Sequence, residues 1–338
     1  MISQPLVSIL IPAYNAQHWI AETLESALAQ TWKNKEIIVV DDGSRDATVD
    51  VVRRFESAGV RLVVQENQGA AAARNKALEV SQGDYIQWLD ADDLLSPDKI
   101  EAQMRESRGD DVLLSSGWAE FFYRPRQARF VPSSLWADLG PADWLVYKLG
   151  QNLHMQTATW LVSRKLTTAA GPWDTRLSFD DDGEYFCRVL LASQGVHFVP
   201  GPGVYYRAAS NSSVSYIGRS EKKVRALWIS MLLHIQYLRS LEESPRVRRA
   251  CLNYLHNWSM HFYPEHTDII GQAEHLAEEL GGKLHPPTLS WKYAWARSLF
   301  GWRAALWLQV EARSLRSGVQ RSIDKALASL EGSGQMVR

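Results

Sequence analysis

The sequence predicts an α/β fold, a doubly wound and mostly parallel sheet followed by a helical C-terminal region. Apolar runs and helical patterns alternate through the first hundred residues, as they do in successive βαβ units. The runs are continuously apolar, which marks strands covered on both faces. From Arg219 onward only helical periodicity remains.

Leu6–Ile11 reads as the first strand. About Gln17 to Gln30 reads as a helix, with Ile20, Leu24, Ala27 and Leu28 at helical spacing. Glu36–Val40 is the second strand, and Asp46–Ser57 is a helix with Val49, Val52 and Phe55 on one face. Arg61–Val64, Ala70–Val80 and Tyr85–Leu89 continue the alternation as strand, helix and strand. Val112–Tyr206 is mixed. Arg219–Leu241, Arg246–Phe262, Thr267–Leu280 and Leu289–Ser317 are expected helices, punctuated by Pro245, Pro264, Pro286 and Pro287.

Composition narrows the function. A formal net charge of -1 supplies no field to gather nucleic acid. Two cysteines far apart, Cys187 and Cys251, exclude a disulfide framework and fit a reducing cytoplasm. No basic, apolar leader opens the chain, and no uncharged apolar stretch reaches 18 residues, so neither a secretory signal nor a spanning helix is expected. Neither G-x-G-x-x-G nor the P-loop pattern occurs, which removes the main support for dinucleotide and P-loop enzymes.

Ligands of open α/β sheets bind beyond the carboxyl ends of the strands. Three polar loops fall there: Tyr14-Asn15 after strand one, Asp41-Asp42 after strand two, and Asp90-Ala91-Asp92-Asp93 after strand four. Clustered carboxylates repel unless a cation or donors compensate, and hard oxygen ligands suit Mg²⁺ or Mn²⁺. The bland reading is a solvated acidic turn capping the next helix. At Asp41-Asp42-Gly43-Ser44 one helix cap needs one oxygen, which leaves a carboxylate for a base or ribose. Asn67-Gln68-Gly69 opens an alanine-rich helix with Arg74 one turn inside, within reach of a phosphate. A second acidic run, Asp180-Asp181-Asp182, precedes another helix, either as a cap or as the source of a general base.

Together, Val7 to Asn15, Val40 to Ser44, Asn67 to Asn75 and Gly83 to Asp93 resemble the family 2 glycosyltransferases. The likeness is dense over residues 5–104 and returns between about 157 and 207. It implies a GT-A fold, inversion at the sugar carbon, a nucleoside-diphosphate-sugar donor (UDP-sugars being commonest) and a carbohydrate or lipid-linked acceptor. By position, Pro12, Tyr14, Asp41, Asp42, Arg74 and Asp90 fall on the nucleotide-sugar side. Asp92 and Asp90 match the metal-binding DxD. Asp182 falls on the family's base, and Asp181 stands where the family has Glu, so Asp181 remains a rival. Trp160 and Arg164 fall on the acceptor side. The implied division is a catalytic domain over 1–215 (nucleotide-sugar half about 1–110, acceptor half about 111–215), a helical region over 216–330 and a disordered tail over 331–338. Gln236-Tyr-Leu-Arg239 is followed by Ser240 and not Trp, so single addition is expected in place of processive synthesis. A sugar nucleotidyltransferase and a catalytically inactive nucleotide-sugar-binding scaffold are the alternatives.

From Lys283 to Lys325 the chain carries eight Lys or Arg against two acids, with Trp291, Trp295, Trp302 and Trp307 interleaved. This stretch has two readings: a peripheral contact with the inner face of a membrane, or helices packed on the catalytic domain or a second subunit. His154 and His197 read as packing or surface residues.

Overall fold

The structure, a computed structural model, describes residues 4–208, 220–287 and 291–335. The chain runs β1 (Val7–Ala13), α1 (Ile20–Leu28), β2 (Lys35–Asp41), α2 (Thr48–Arg53), β3 (Val60–Val64), α3 (Ala70–Val80), β4 (Tyr85–Trp88), β5 (Leu94–Leu95) and α4 (Lys99–Arg105). It continues with β6 (Val112–Phe121), β7 (Arg129–Phe130), α5 (Pro141–Gly150), β8 (Val162–Ser163), α6 (Arg164–Ala170), α7 (Asp181–Ala192) and β9 (Gly195–Arg207). The helices α8 (Glu221–Leu241), α9 (Pro245–Trp258), α10 (Thr267–Glu279) and α11 (Trp291–Gln335) complete it.

The first sheet has the order β3-β2-β1-β4-β8, with β1 to β4 parallel and β8 antiparallel at the edge. Its central strands are apolar on both faces because helices cover both sides, as their continuous runs require. The order reverses between β1 and β4, so a crevice opens at their carboxyl ends. The mixed stretch forms a second sheet, β5-β9-β6-β7, in which β6 and β9 run parallel with a register shift at Ser116/Gly117. Trp118 packs against the apolar cores on both sides of the first sheet.

Two expected spans differ. The helix through Ser57 stops at Arg53 and gives way to a 3-10 turn, because Gly59 turns the chain with φ 94°. The last helix extends to Gln335, so the expected disordered tail is helical as far as that residue, and 336–338 lie outside the described residues. The expected boundary near 215 also falls outside them. Helices α8 to α10 bring Trp228, Met231, Leu238, Val247 and Leu255 into the same apolar cluster as β1, β2 and β4. They therefore share the first sheet's core. Among the described residues no helix is long and apolar enough to cross a membrane.

Candidate active site

The crevice is built by loops whose backbones tie to one another. After β1, the Asn15 amide donates to Ser44 Oγ (2.9 Å), and Asn15 Oδ1 accepts from the Arg45 amide (2.8 Å). Tyr14 projects from this turn, 47% exposed, and Pro12 is half-buried. At the end of β2 the two aspartates divide. Asp42 is buried and accepts from Gln65 Nε2 (2.8 Å), Gln68 N (2.9 Å) and Gly69 N (2.7 Å). Its carboxylate is consumed in fastening the loop that starts α3. Asp41 is fully buried and gives Oδ2 to the Ser44 amide (2.9 Å), while Oδ1 has no partner. An unpaired buried oxygen is costly, so Asp41 is the carboxylate that suits a donor from a ligand. Asp42, by contrast, already accepts three hydrogen bonds from within the chain.

Gly43 makes the junction possible. Its φ is 73°, and a Cβ there would lie 2.9 Å from the Asn67 amide nitrogen.

The loop after β4 shows a similar division. Asp93 is buried and accepts from the Arg207 amide (2.8 Å) and from Gln156 Nε2. Burial first, then the charges of Asp92 and Asp90, push its carboxyl well above the ordinary range. Asp90 is paired with Arg74 Nη2 (2.8 Å). Burial and then the charge of Asp90 push the Asp92 carboxyl up to about 6, although the Arg207 guanidinium and the residue's own backbone amide pull the other way. A carboxylate crowded by Asp90, with Arg207 compensating only in part, could hold a divalent cation. No group of three or more His, Cys, Asp or Glu side chains forms a complete cage among the described residues.

Arg74, one turn into α3, is buried and bridges the two acidic clusters. Its Nη1 reaches Asp181 Oδ2 at 2.7 Å, and its guanidinium lies 4.5 Å from the Trp173 ring. Burial opposes the charge, but Asp181 and then Asp90 hold it on, above its ordinary value. Its expected contact with a diphosphate becomes, in this structure, a clamp between carboxylates.

The run before α7 fans out in three directions. Asp180, in the left-handed region at φ 57°, accepts from Ser230 Oγ of α8 at 2.5 Å. A Cβ at Gly183 would meet Asp180 Oδ1 at 2.2 Å, so a side chain there would displace the Asp180 carboxylate from Ser230. Asp181 is spent on Arg74, and burial outweighs that attraction to push its carboxyl up to about 6. Asp182 is half-buried and accepts from Thr157 Oγ1 at 3.1 Å.

The segment Gln156–Thr159 ties both clusters together. Gln156 holds Asp93, and Thr157 holds Asp182. The segment is itself fixed from behind: Gln87 Nε2 donates to Ala158 O (2.8 Å) and Gln103 Nε2 to Thr159 O (3.0 Å). Buried Lys99 spans the two glutamines through their Oε1 atoms, at 2.5 and 2.7 Å. Removal from water lowers its ammonium pKa well below the usual range.

Two expected acceptor residues are not in the crevice. Trp160 is buried, its ring stacked 5.3 Å from Phe186 and 5.5 Å from Trp144, so it is core. Arg164 donates through its amide to Asp84 O (2.7 Å) and through Nη2 to Ser81 Oγ (2.9 Å). Those atoms precede β4, six residues before Asp90, roughly 20 Å away along the strand direction. His154 lies against Trp118, with ring centres 4.9 Å apart, and His197 pairs with Asp138 at 2.8 Å.

One site residue lacks any signal in the local pattern: Arg207, which ends β9. Its guanidinium lies 4.5 Å from both the Trp19 and Phe121 rings, donates to Asp92 O (2.8 Å) and pairs with Glu22 (2.5 Å). It locks the acidic turn to the second sheet.

The model of glycosyl transferase family 2 matches residues 8–165. An uncharacterized glycosyltransferase of Rickettsia typhi, RT0329, is 30% identical over 231 residues, 68% of this chain and 72% of its own. The protein named "Putative teichuronic acid biosynthesis glycosyltransferase TuaG" of Bacillus subtilis is 46% identical over 104 residues, 30% of this chain and 41% of its own. The chain thus spans less than half of that relative's length. Among solved structures, Staphylococcus aureus TarS 1-349 with UDP-GlcNAc superposes with a TM-score of 0.64 at 17% identity, over 81% of this chain and 82% of that one. The mannosyltransferase PcManGT of Pyrobaculum calidifontis, with GDP-Man and Mn²⁺, gives 0.51 at 17% identity, over 98% and 87%. At such identities the solved structures speak for the fold. With the matching family model and a relative aligned over most of its length, this chain is a transferase enzyme of the GT-A fold and belongs to glycosyltransferase family 2.

Proposed function

We propose that the enzyme transfers a sugar, with inversion, from a nucleoside-diphosphate-sugar (a UDP-sugar) to the hydroxyl of a carbohydrate or lipid-linked acceptor, one addition per encounter. The observation that carries the reading is how lightly Asp182 is held: Asp180 is fastened to Ser230 and Asp181 to Arg74, whereas Asp182 is half-buried and accepts one hydrogen bond, from Thr157 Oγ1. Asp182 takes the proton of the acceptor hydroxyl, whose oxygen forms a bond to the anomeric carbon. The bond from that carbon to the diphosphate breaks on the opposite face, and nucleoside diphosphate leaves. Asp41, with its unpaired buried oxygen, accepts from the nucleoside, and Tyr14 and Pro12 border it. Asp92 and Asp90 are the residues that would hold Mn²⁺ or Mg²⁺, an ion that would supply charge neutralisation to the leaving diphosphate. The likeness to a teichuronic acid biosynthesis enzyme supports a place in cell-surface polysaccharide or glycolipid assembly, at the cytoplasmic face.

The test is Asp182→Asn, once a thermal-shift panel of UDP, GDP, dTDP and CMP with Mn²⁺, Mg²⁺ or EDTA has named the donor. General-base loss lowers turnover by about 10²–10⁴, and the nucleotide-induced stabilisation stays as in wild type. Near-normal turnover in the variant would exclude Asp182 as the base.

A further inference from the structure

We propose that residues Trp295–Phe300 form a peripheral contact that seats the enzyme on an anionic lipid surface. Helix α11 breaks at Gly301, where φ is 79° and ψ 176°. Just before the break, Trp295, Leu299 and Phe300 are 54, 70 and 65% exposed, and the Trp295 and Phe300 rings lie 6.4 Å apart. The same segment buries Ala296 completely. A helix packed only for water does the reverse, burying its large apolar groups and exposing alanine.

The structure divides the tryptophans that the sequence presents as one series. Trp302, past the break, turns inward onto Tyr263 (ring centres 5.7 Å), with Arg297 stacked over it at 5.1 Å. The side chains of Trp291 and Trp307 lie outside the described residues. The exposed knob is therefore Trp295 with Leu299 and Phe300.

Charge selects the occupant. Between Leu280 and Val310 the chain has four Lys or Arg and no Asp or Glu. Of these, Lys292 and Arg297 are exposed beside the knob and complement anionic headgroups, with aromatic groups entering at the interface. The same two charges disfavour a second copy, since an isologous contact would set them face to face. The distal half of α11 differs: Asp324 and Glu331 dock on Arg124 at 2.7 and 2.8 Å, tying that half to the protein body. With no spanning helix among the described residues, the contact is peripheral.

The test is co-sedimentation of the full chain with phosphatidylcholine vesicles carrying about a third phosphatidylglycerol, and with phosphatidylcholine alone. The expected result is binding to the mixed vesicles. The triple variant Trp295→Ser, Leu299→Ser, Phe300→Ser weakens it at least about a hundredfold, as loss of three buried apolar groups requires. Arg297→Gln weakens it about fivefold. An unchanged thermal shift with donor nucleotide shows that the variants remain folded. Wild-type protein that ignores the mixed vesicles overturns the proposal, and so does a triple variant that binds as wild type. Sedimentation velocity provides the third way to overturn it: a self-associating wild type made monomeric by the triple variant assigns the knob to a second copy.

Discussion

The two acidic turns of the crevice, Asp90 to Asp93 after β4 and Asp180 to Asp182 before α7, look alike in sequence and are held differently. The first is anchored by the second sheet, through the Arg207 amide and Gln156 onto Asp93. The second is anchored by helices, through Ser230 of α8 onto Asp180 and Arg74 of α3 onto Asp181. In each turn one carboxylate is held more lightly than its neighbours, Asp92 and Asp182. The neighbours of a reactive aspartate are thus structural, and an acidic run can supply both its own scaffold and its own chemistry.

Asp181→Asn is the sharpest way to break this comparison. It leaves the buried Arg74 with Asp90 alone, and losing one partner of such a pair costs about 3–5 kcal/mol. Chemical denaturation should show that loss, while folded variant retains most of its turnover. A stable Asp181→Asn protein with turnover reduced a hundredfold would transfer the base role to Asp181. A second contrast pits Asp42→Asn against Asp41→Asn. Asp42→Asn should lose about 2–3 kcal/mol of stability, because charge-assisted bonds to Gln65, Gln68 and Gly69 are weakened. Asp41→Asn should instead diminish the thermal shift produced by nucleotide. Equal effects in both assays would erase the distinction between them. The smallest effect is expected from Thr157→Val, which removes the hydrogen bond to Asp182. Turnover should fall roughly tenfold, the low end for a bond to a charged group. Nucleotide affinity should be unaffected, and Thr157→Ser should recover the loss.

Much of the first sheet was legible because β1, β2 and β4 are continuous apolar runs whose loops carry the polar residues. Helix α3 matched to the residue, because Gly69 and the alanine run mark its start. The second sheet was not legible: β6 and β9 pair across α5, β8, α6 and α7, and no local period reports such a pairing. Nor could the sequence say which aspartate is spent. That depends on donors arriving from elsewhere, such as the Gly69 amide for Asp42 and Ser230 for Asp180. Trp160 and Arg164 were misplaced for a related reason: they are neighbours in sequence of the Gln156–Thr159 segment, but their side chains turn to the core and to the opposite edge of the sheet.

The Gln156–Thr159 segment has a bearing on how such enzymes diversify. It acts as a ruler between the Asp90–Asp93 turn and Asp182, graduated by Gln87, Lys99 and Gln103 and set within the interior. Loops at the mouth of the crevice can then be exchanged without resetting the distance between those two acidic turns. Substitutions behind the ruler, at positions inside the core, would shift both turns together.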